Sequence, residues 1–177
     1  MNIEALTALV RGRITGTRKG SEDLACEHSI RVSEKLKRFG YGEEVVVAGL
    51  LHDILEDSET TMEELKELGI TDRTAELVRL VTHDSTLVGS DRRLIGILGN
   101  ILTKRDNDAL AIKVSDVMDN LLSCATMTPD RRQNMRLMKA PLMRNISKGD
   151  VPDAMWDELN EMIRVAFQEE GVPKLEE

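Results

Sequence analysis

The chain has 177 residues, of which 41% are hydrophobic and 32% are charged, an ordinary composition for one soluble domain with a sizeable core. The net charge of −8 and the 2% of aromatic residues argue against a large nucleic-acid interface, which needs cations and stacking rings. No apolar run reaches the roughly 18 residues of a membrane span. The first residues also lack the basic start of a signal peptide. We therefore expect a cytoplasmic protein that binds neither nucleic-acid polymers nor membranes.

Apolar residues recur three and four positions apart along the whole chain, which is the periodicity of helices, and no strand pattern interrupts it. The predicted helices, in chain order, cover 3–11, 21–39, 43–56, 61–68, 72–81, 91–104, 107–124, 128–146 and 153–169. Thr61 and Glu64 form a capping-box pattern at the start of the fourth helix. The sequence therefore predicts an all-α bundle of about eight or nine helices in a single domain, residues 1–177.

One apolar helical segment, Leu50–Asp57, carries an unusual concentration of polar residues. His52 and Glu56 are four apart and share a helix face, and the same holds for Asp53 and Asp57. Burying an unpaired carboxylate or imidazole costs roughly several kcal/mol. A divalent metal would satisfy these groups, because it binds neutral imidazole and carboxylate together.

Polar residues also lie on or beside the apolar faces of two other predicted helices. His28 occupies an apolar position, and Asp116 and Asn120 lie four apart on one face. Together with His52 and Asp53, the residues His28 and Asp116 supply two imidazoles and two carboxylates from three helices. This ligand set suits Mn, Fe, Zn or a similar divalent ion that keeps positions for water. Metal-bound water is a nucleophile near neutral pH, so the expected chemistry is phosphoester hydrolysis.

The order His…His-Asp…Asp resembles that of the HD superfamily of metal-dependent phosphohydrolases. Residues 52–57, His-Asp-Ile-Leu-Glu-Asp, and 60–65, Thr-Thr-Met-Glu-Glu-Leu, look like a stretch of the hydrolase domain in RelA/SpoT-type and small alarmone hydrolases. Val81-Thr82, Thr128-Pro129 and residues 113–121, Lys-Val-Ser-Asp-Val-Met-Asp-Asn-Leu, resemble further motifs of that family. The resemblance covers roughly residues 17–140, and the joint occurrence at these spacings is a specific signal.

The resemblance implies a role for each of nine residues. One divalent metal, usually Mn²⁺ with Fe, Co, Zn or Ni as further candidates, would be bound by His28, His52, Asp53 and Asp116. Glu56 and Asp57 would position or deprotonate the attacking water. Substrate contacts would come from Arg18 and Lys19, to phosphate, and from Asn120, near the ribose. The implied reaction removes the 3′-pyrophosphate from guanosine tetra- or pentaphosphate, and a homo-oligomeric state is left open.

The chain departs from the family pattern at Val117, where the family has a basic residue, and in the loop 83–90, which often bears lysine there. Two alternatives therefore stay open. One is an HD-type phosphatase acting on another nucleotide, such as a deoxynucleoside 5′-monophosphate, and the other is a non-catalytic nucleotide-binding module. His83 is interpreted as an ordinary loop residue outside the ligand set. Two interpretations of the basic run Arg131, Arg132 and Arg136 stay open: the first is surface charge, and the second is part of an anion site.

Overall fold

A computed structural model describes residues 2–18 and 23–172. Its α-helices are α1 Ile3–Arg13, α2 Ala25–Arg38, α3 Glu43–Leu51, α4 Ile54–Asp57, α5 Met62–Glu67, α6 Asp72–Val81, α7 Ser90–Lys104, α8 Asn107–Ser123, α9 Pro129–Asn134, α10 Ala140–Ser147 and α11 Asp153–Glu169. A 3₁₀ turn covers Cys124–Thr126 and a π-helical segment covers Met135–Lys139. Within the described ranges, no helix has both the length and the apolar character needed to cross a membrane.

The predicted all-α fold is confirmed, and so is the number of helices over the described part of the chain. A single turn separates α3 from α4, and α9 continues through the π-helical segment into α10, so the eleven segments make nine helical rods. The predicted helix 43–56 is interrupted after Leu51. Its cause is local: the imidazole of His52 donates to the Gly49 carbonyl, the acceptor that an unbroken helix would offer to the main-chain N–H of Asp53.

The helix α8 is the scaffold of the fold. It contacts α2, α3, α6, α7, α10 and α11, and every residue from Ala109 to Asp119 is buried. The apolar residues of α8 belong to one contiguous cluster of buried side chains. Because α8 is surrounded on so many sides, its charged residues Lys113, Asp116 and Asp119 also lie inside the protein, where each needs a partner.

The helices α2 and α3 cross closely, which brings two histidines together. A Cβ atom at Gly49 would lie 2.3 Å from Cδ1 of Leu36, so any larger residue would force that side chain to move. Ser33 Oγ donates a hydrogen bond of 2.9 Å to the Val46 carbonyl across the same crossing. As a result, the ring centroids of His28 and His52 are 5.1 Å apart.

The predicted helix 128–146 is not a regular α-helix throughout, because it widens into a π-helical segment at Met135–Lys139. Pro141, at the start of α10, has no N–H to offer the carbonyl of Leu137, and an α-helical hydrogen bond is missing there. The wider turn accommodates this loss. It also leaves Met135 and Lys139 facing a cavity beside the two histidines.

Candidate metal centre

Two imidazoles lie buried side by side, at 2% exposure for His28 and 1% for His52. Nδ1 of His28 lies 2.8 Å from Oδ2 of Asp119, and Nδ1 of His52 lies 2.8 Å from the carbonyl oxygen of Gly49. Both partners only accept hydrogen bonds, so each Nδ1 is the donor. Among the described residues, neither Nε2 has a hydrogen-bond partner. This is the arrangement of metal-binding histidines, whose second ring nitrogen is held by a carboxylate or carbonyl.

Two carboxylates border the same point. Oδ2 of Asp53 lies 3.2 Å from Nε2 of His52 and 3.7 Å from Nε2 of His28. Oδ1 of Asp116 lies 3.2 Å from Nε2 of His28. Ligand atoms of His28, His52 and Asp53 all fall within 4.8 Å of one another, as one metal ion requires. Asp116, the fourth predicted ligand, lies at the edge of this group.

The charges around the histidines favour a cation between them. Burial alone would raise the pKa of Asp53, but the neighbouring imidazoles of His52 and His28 hold it well below its usual range. Burial lowers the pKa of His28, but the carboxylates of Asp116 and Asp119 outweigh this effect and raise the pKa to about 9. The same donor atoms that stabilise a proton on His28 would stabilise a divalent ion.

Lys113, which the sequence analysis did not single out, holds Asp116 in place. It lies three residues before Asp116 on α8, only 7% exposed, and its Nζ contacts Oδ2 of that carboxylate. Burial would raise the pKa of Asp116, but Lys113, with His28, holds it well below the usual range. The i, i+3 spacing of Lys113 and Asp116 on one helix is the sequence signal that could have indicated this contact.

Asp119 is a second functional residue missed from the sequence, and it orients His28. Its side chain is fully buried and accepts hydrogen bonds of 3.0 Å from Nε of Arg31 and from Nζ of Lys35. Burial raises its pKa, but the hydrogen bonds from His28 and Arg31 hold the pKa well below the usual range. Its place three residues after Asp116 indicates a shared face of α8, but not the contact with His28, which is 91 positions away.

The two predicted catalytic acids face different surroundings. Asp57 lines the cavity beside the histidines. Glu56 instead contacts His83: the main-chain N–H of His83 donates 2.7 Å to Oε1, and the imidazole Nδ1 touches Oε2. Burial raises the pKa of Glu56, and the hydrogen bond from the main chain of His83 offsets this only in part. A residue interpreted as part of an ordinary loop therefore lies against a candidate catalytic group.

Two of the three predicted substrate contacts meet on one side of the cavity. Nη1 of Arg18 donates 3.1 Å to Oγ of Ser123, and Nη2 of Arg18 contacts Oδ1 of Asn120. Nδ2 of Asn120 donates a hydrogen bond of 2.8 Å to the main-chain oxygen of Asp116, which connects this group to the predicted metal ligands. The third predicted contact, Lys19, lies outside the described residues.

The cavity has a volume of about 540 Å³, which is enough for a nucleotide-sized ligand. Another part of its lining comes from residues on α9 and the π-helical segment, which we call the outer wall: Arg131, Asn134, Met135 and Lys139. Burial lowers the pKa of Lys139. The lining of the cavity therefore includes three cationic side chains among the described residues, Arg18, Arg131 and Lys139.

The basic run after Pro129 divides into different environments. Arg131 lines the cavity. Nε of Arg132 lies 3.3 Å from Oε1 of Glu170. The expectation of surface charge is wrong for Arg136, which is 8% exposed. It pairs with Glu169, the last residue of α11, and with Glu170, which follows it. The sequence spacing could not show that α11 would pack against this side chain.

Several known proteins are similar to this chain. A guanosine-3′,5′-bis(diphosphate) 3′-pyrophosphohydrolase of Aquifex aeolicus is 30% identical over 151 residues, covering 80% of this chain but 20% of the relative. The pyrophosphohydrolase MESH1 of Drosophila melanogaster is 36% identical over 87 residues, 49% of this chain and 47% of the relative. The chain thus spans a fifth to a half of the length of these curated relatives.

Among solved structures, that of a metazoan ortholog of SpoT has the same fold, with a TM-score of 0.78, 24% identity and 96% coverage of both chains. The HD domain family model matches residues 26–121. This range covers more than half of the chain and contains both buried histidines and both bordering aspartates. The chain therefore belongs to the HD domain family.

Proposed function

We propose that this chain is a metal-dependent phosphohydrolase that removes the 3′-pyrophosphate from guanosine 3′,5′-bis(diphosphate). The observation that carries the proposal is the pair of buried imidazoles whose Nε2 atoms lack a hydrogen-bond partner within the described part of the chain. Two buried ring nitrogens without a hydrogen-bond partner are costly unless something binds them. The names of the relatives from Aquifex aeolicus and Drosophila melanogaster support the choice of substrate.

In this proposal His28, His52, Asp53 and Asp116 hold one divalent ion. Two nitrogen and two oxygen donors suit Mn²⁺, our first choice, and also Fe, Co, Zn or Ni. When bound, such an ion makes water a nucleophile near neutral pH and neutralises charge on phosphoryl oxygens. The hydrogen bonds to Nδ1 of both histidines keep their Nε2 lone pairs directed at the shared point.

Glu56 and Asp57 would handle the attacking water. The pKa of Glu56 is raised by burial, and a carboxylate with a raised pKa is a better proton acceptor near neutral pH. Asp57 lines the cavity and would accept a hydrogen bond from the water, which fixes its direction of approach. The intact pair favours an enzyme over a non-catalytic binding module, because binding alone needs neither group.

The charges of the cavity favour a substrate with two separated anionic groups. Arg18 lies next to the metal ligands and would bind the phosphate that is attacked, together with Lys19, while Asn120 beside it would contact the nucleotide near the ribose. Arg131 and Lys139 lie on the outer wall and would bind the second diphosphate. A deoxynucleoside 5′-monophosphate has only one anionic group and would offer no second anion to Arg131 and Lys139.

The departure from the family pattern at residue 117 does not alter this cavity. Val117 is 3% exposed and belongs to the apolar core, and it is not among the residues that line the cavity. We also propose that residues 1–177 form one HD-type domain that acts in the cytoplasm. The contiguous cluster of buried apolar side chains supports a single folding unit.

Product analysis tests the proposed function. The chain, freed of metal by a chelator and resupplied with Mn²⁺, is incubated with guanosine 3′,5′-bis(diphosphate), and products are separated by anion exchange. We expect equal amounts of GDP and pyrophosphate, and none without metal. Orthophosphate from a deoxynucleoside monophosphate, with the first substrate intact, would favour the phosphatase alternative. Nucleotide binding without any turnover would favour the binding module.

A further inference from the structure

The carboxylate of Glu56 is held at both oxygens by a single residue. The main-chain N–H of His83 donates to Oε1 at 2.7 Å, and the imidazole Nδ1 contacts Oε2. The two side chains are 18% and 15% exposed, so water competes only weakly for these contacts. A carboxylate offers about four lone-pair sites, and two contacts leave one on each oxygen for a water molecule.

Glu56 needs such support because its own helix gives little. The helix α4 has four residues and begins directly after the interrupted turn at His52 and Asp53. His83, in contrast, follows a well-anchored helix end. Its neighbour Thr82 caps α6 and bonds to the Val78 carbonyl through both its main-chain N–H, at 3.0 Å, and its hydroxyl, at 2.8 Å. The fixed end of α6 therefore supports the less constrained acid on α4.

We propose that His83 is a positioning residue that orients the Glu56 carboxylate beside the metal ligands. The inference rests on the proposed function, in which Glu56 accepts the proton of the attacking water. A carboxylate held in the reactive rotamer can accept the proton in every bound complex. A carboxylate that also populates other rotamers lowers the rate of the chemical step without changing substrate binding. His83 itself touches neither substrate nor metal in this account.

Three substitutions at residue 83 test the role of the contacting atom. His83→Ala removes the imidazole contact and keeps the main-chain hydrogen bond. His83→Asn keeps a donor near the position of Nδ1, and His83→Gln moves the donor to the position of Nε2. We expect kcat for pyrophosphate release to fall about 10-fold to 100-fold in the Ala and Gln variants, with KM and bound metal unchanged. The Asn variant recovers most of the rate.

A matched control separates orientation of Glu56 from order in the loop. Asp84→Ala removes the hydrogen bonds of Asp84 to Thr86, at 2.8 Å from the main chain and 2.7 Å from the hydroxyl, in the same loop. It leaves His83 intact, and we expect wild-type kcat. An unchanged kcat in His83→Ala, or an equal loss in Asp84→Ala, would overturn the positioning role.

A spectroscopic readout keeps this inference separate from the proposed function. The chain has three histidines, so nitrogen-15 spectra of the imidazoles can be assigned by single substitutions. We expect the His83 Nδ1 signal to show a strong hydrogen bond that disappears in Glu56→Ala. If the wild type does not hydrolyse guanosine 3′,5′-bis(diphosphate), this signal still supports the contact with Glu56, and its absence in the wild type overturns it.

Discussion

Two groups of residues at the cavity differ in how deeply they are buried and how firmly other residues hold them. We call His28, His52, Asp53 and Asp116 the floor. The floor lies on the helices α2 and α8 and on the turn after α3, and further contacts hold His28, His52 and Asp116 in place. The outer wall lies on α9 and the π-helical segment, where Arg131 is exposed and Asn134 and Lys139 are half-buried. In the proposed function, side chains fixed by the core would hold the metal, and the more exposed outer wall would bind the rest of the substrate.

The largest expected effect is the loss of a floor ligand. Asp53→Ala should abolish both bound metal and turnover, because it removes a carboxylate oxygen that lies within 3.7 Å of both Nε2 atoms. Elemental analysis and pyrophosphate release measure the two effects, and circular dichroism should show an unchanged helix content. Glu63→Ala, at an exposed acid of α5, is the matched control. Full activity in the Asp53 variant would disprove the floor as the site.

The support beneath the floor should give the next largest effect. Asp119→Asn weakens the acceptor that holds Nδ1 of His28, and we expect metal affinity to fall about 10-fold to 100-fold. The substitution also leaves Arg31 and Lys35 without their shared carboxylate, and we expect the free energy of unfolding to fall by roughly 2 kcal/mol. Metal titration and urea unfolding measure these changes. Unchanged affinity would show that Asp119 has only a structural role.

A substitution on the outer wall should separate substrate binding from chemistry. Lys139→Gln removes a half-buried cation, and we expect KM for guanosine 3′,5′-bis(diphosphate) to rise about 10-fold with kcat and bound metal unchanged. Lys104→Gln, at an exposed lysine of α7, serves as control. A fall in kcat at unchanged KM would contradict the division between floor and wall.

The smallest effect is expected away from the floor and the outer wall, at the ion pair between α6 and the start of α8. Arg73 lies 2.6 Å and 2.9 Å from the two oxygens of Asp106. Burial raises the pKa of Asp106, but the hydrogen bonds from Arg73 and from the N–H of Ala109 have the larger effect. The pKa of Asp106 is therefore lower than its usual value of 3.8. The stabilisation is therefore present above about pH 4 and is lost as pH falls.

The substitution Asp106→Asn tests this ion pair, because asparagine can still cap α8. We expect a loss of about 1 kcal/mol in the free energy of unfolding at pH 7, since Arg73 is 32% exposed and solvent screens the pair. The difference from the wild type should shrink as the pH falls below about 4, and turnover at neutral pH should not change. A difference that persists at low pH would assign the effect to packing instead of charge.

The sequence predicted the fold and brought out His28, His52 and Asp53, because a polar side chain on an apolar helix face is visible in a periodic pattern. The capping box also formed as predicted: Thr61 Oγ1 accepts from the N–H of Glu64 at 3.2 Å, and Oε2 of Glu64 accepts from Thr61 at 3.0 Å. Both features depend on residues close together in the chain.

The rest depends on contacts that periodicity does not contain. Asp119 meets His28 across 91 positions, and His83 meets Glu56 across 27 positions, between a loop and a short helix. The interruption at His52 arises when a side chain competes for a main-chain acceptor. These are tertiary or side-chain effects, and none of them changes the spacing of apolar residues in the sequence.

The central claim is that the floor holds one divalent ion through both histidines. The most direct measurement is an electron paramagnetic resonance titration of the metal-free chain with Mn²⁺, with electron spin echo modulation to detect nitrogen ligands. We predict one tightly bound Mn²⁺ per chain, with coupling to two imidazole nitrogens in the wild type and to one in His28→Gln. Mn²⁺ that stays free in solution, or binds without nitrogen coupling, would contradict the account.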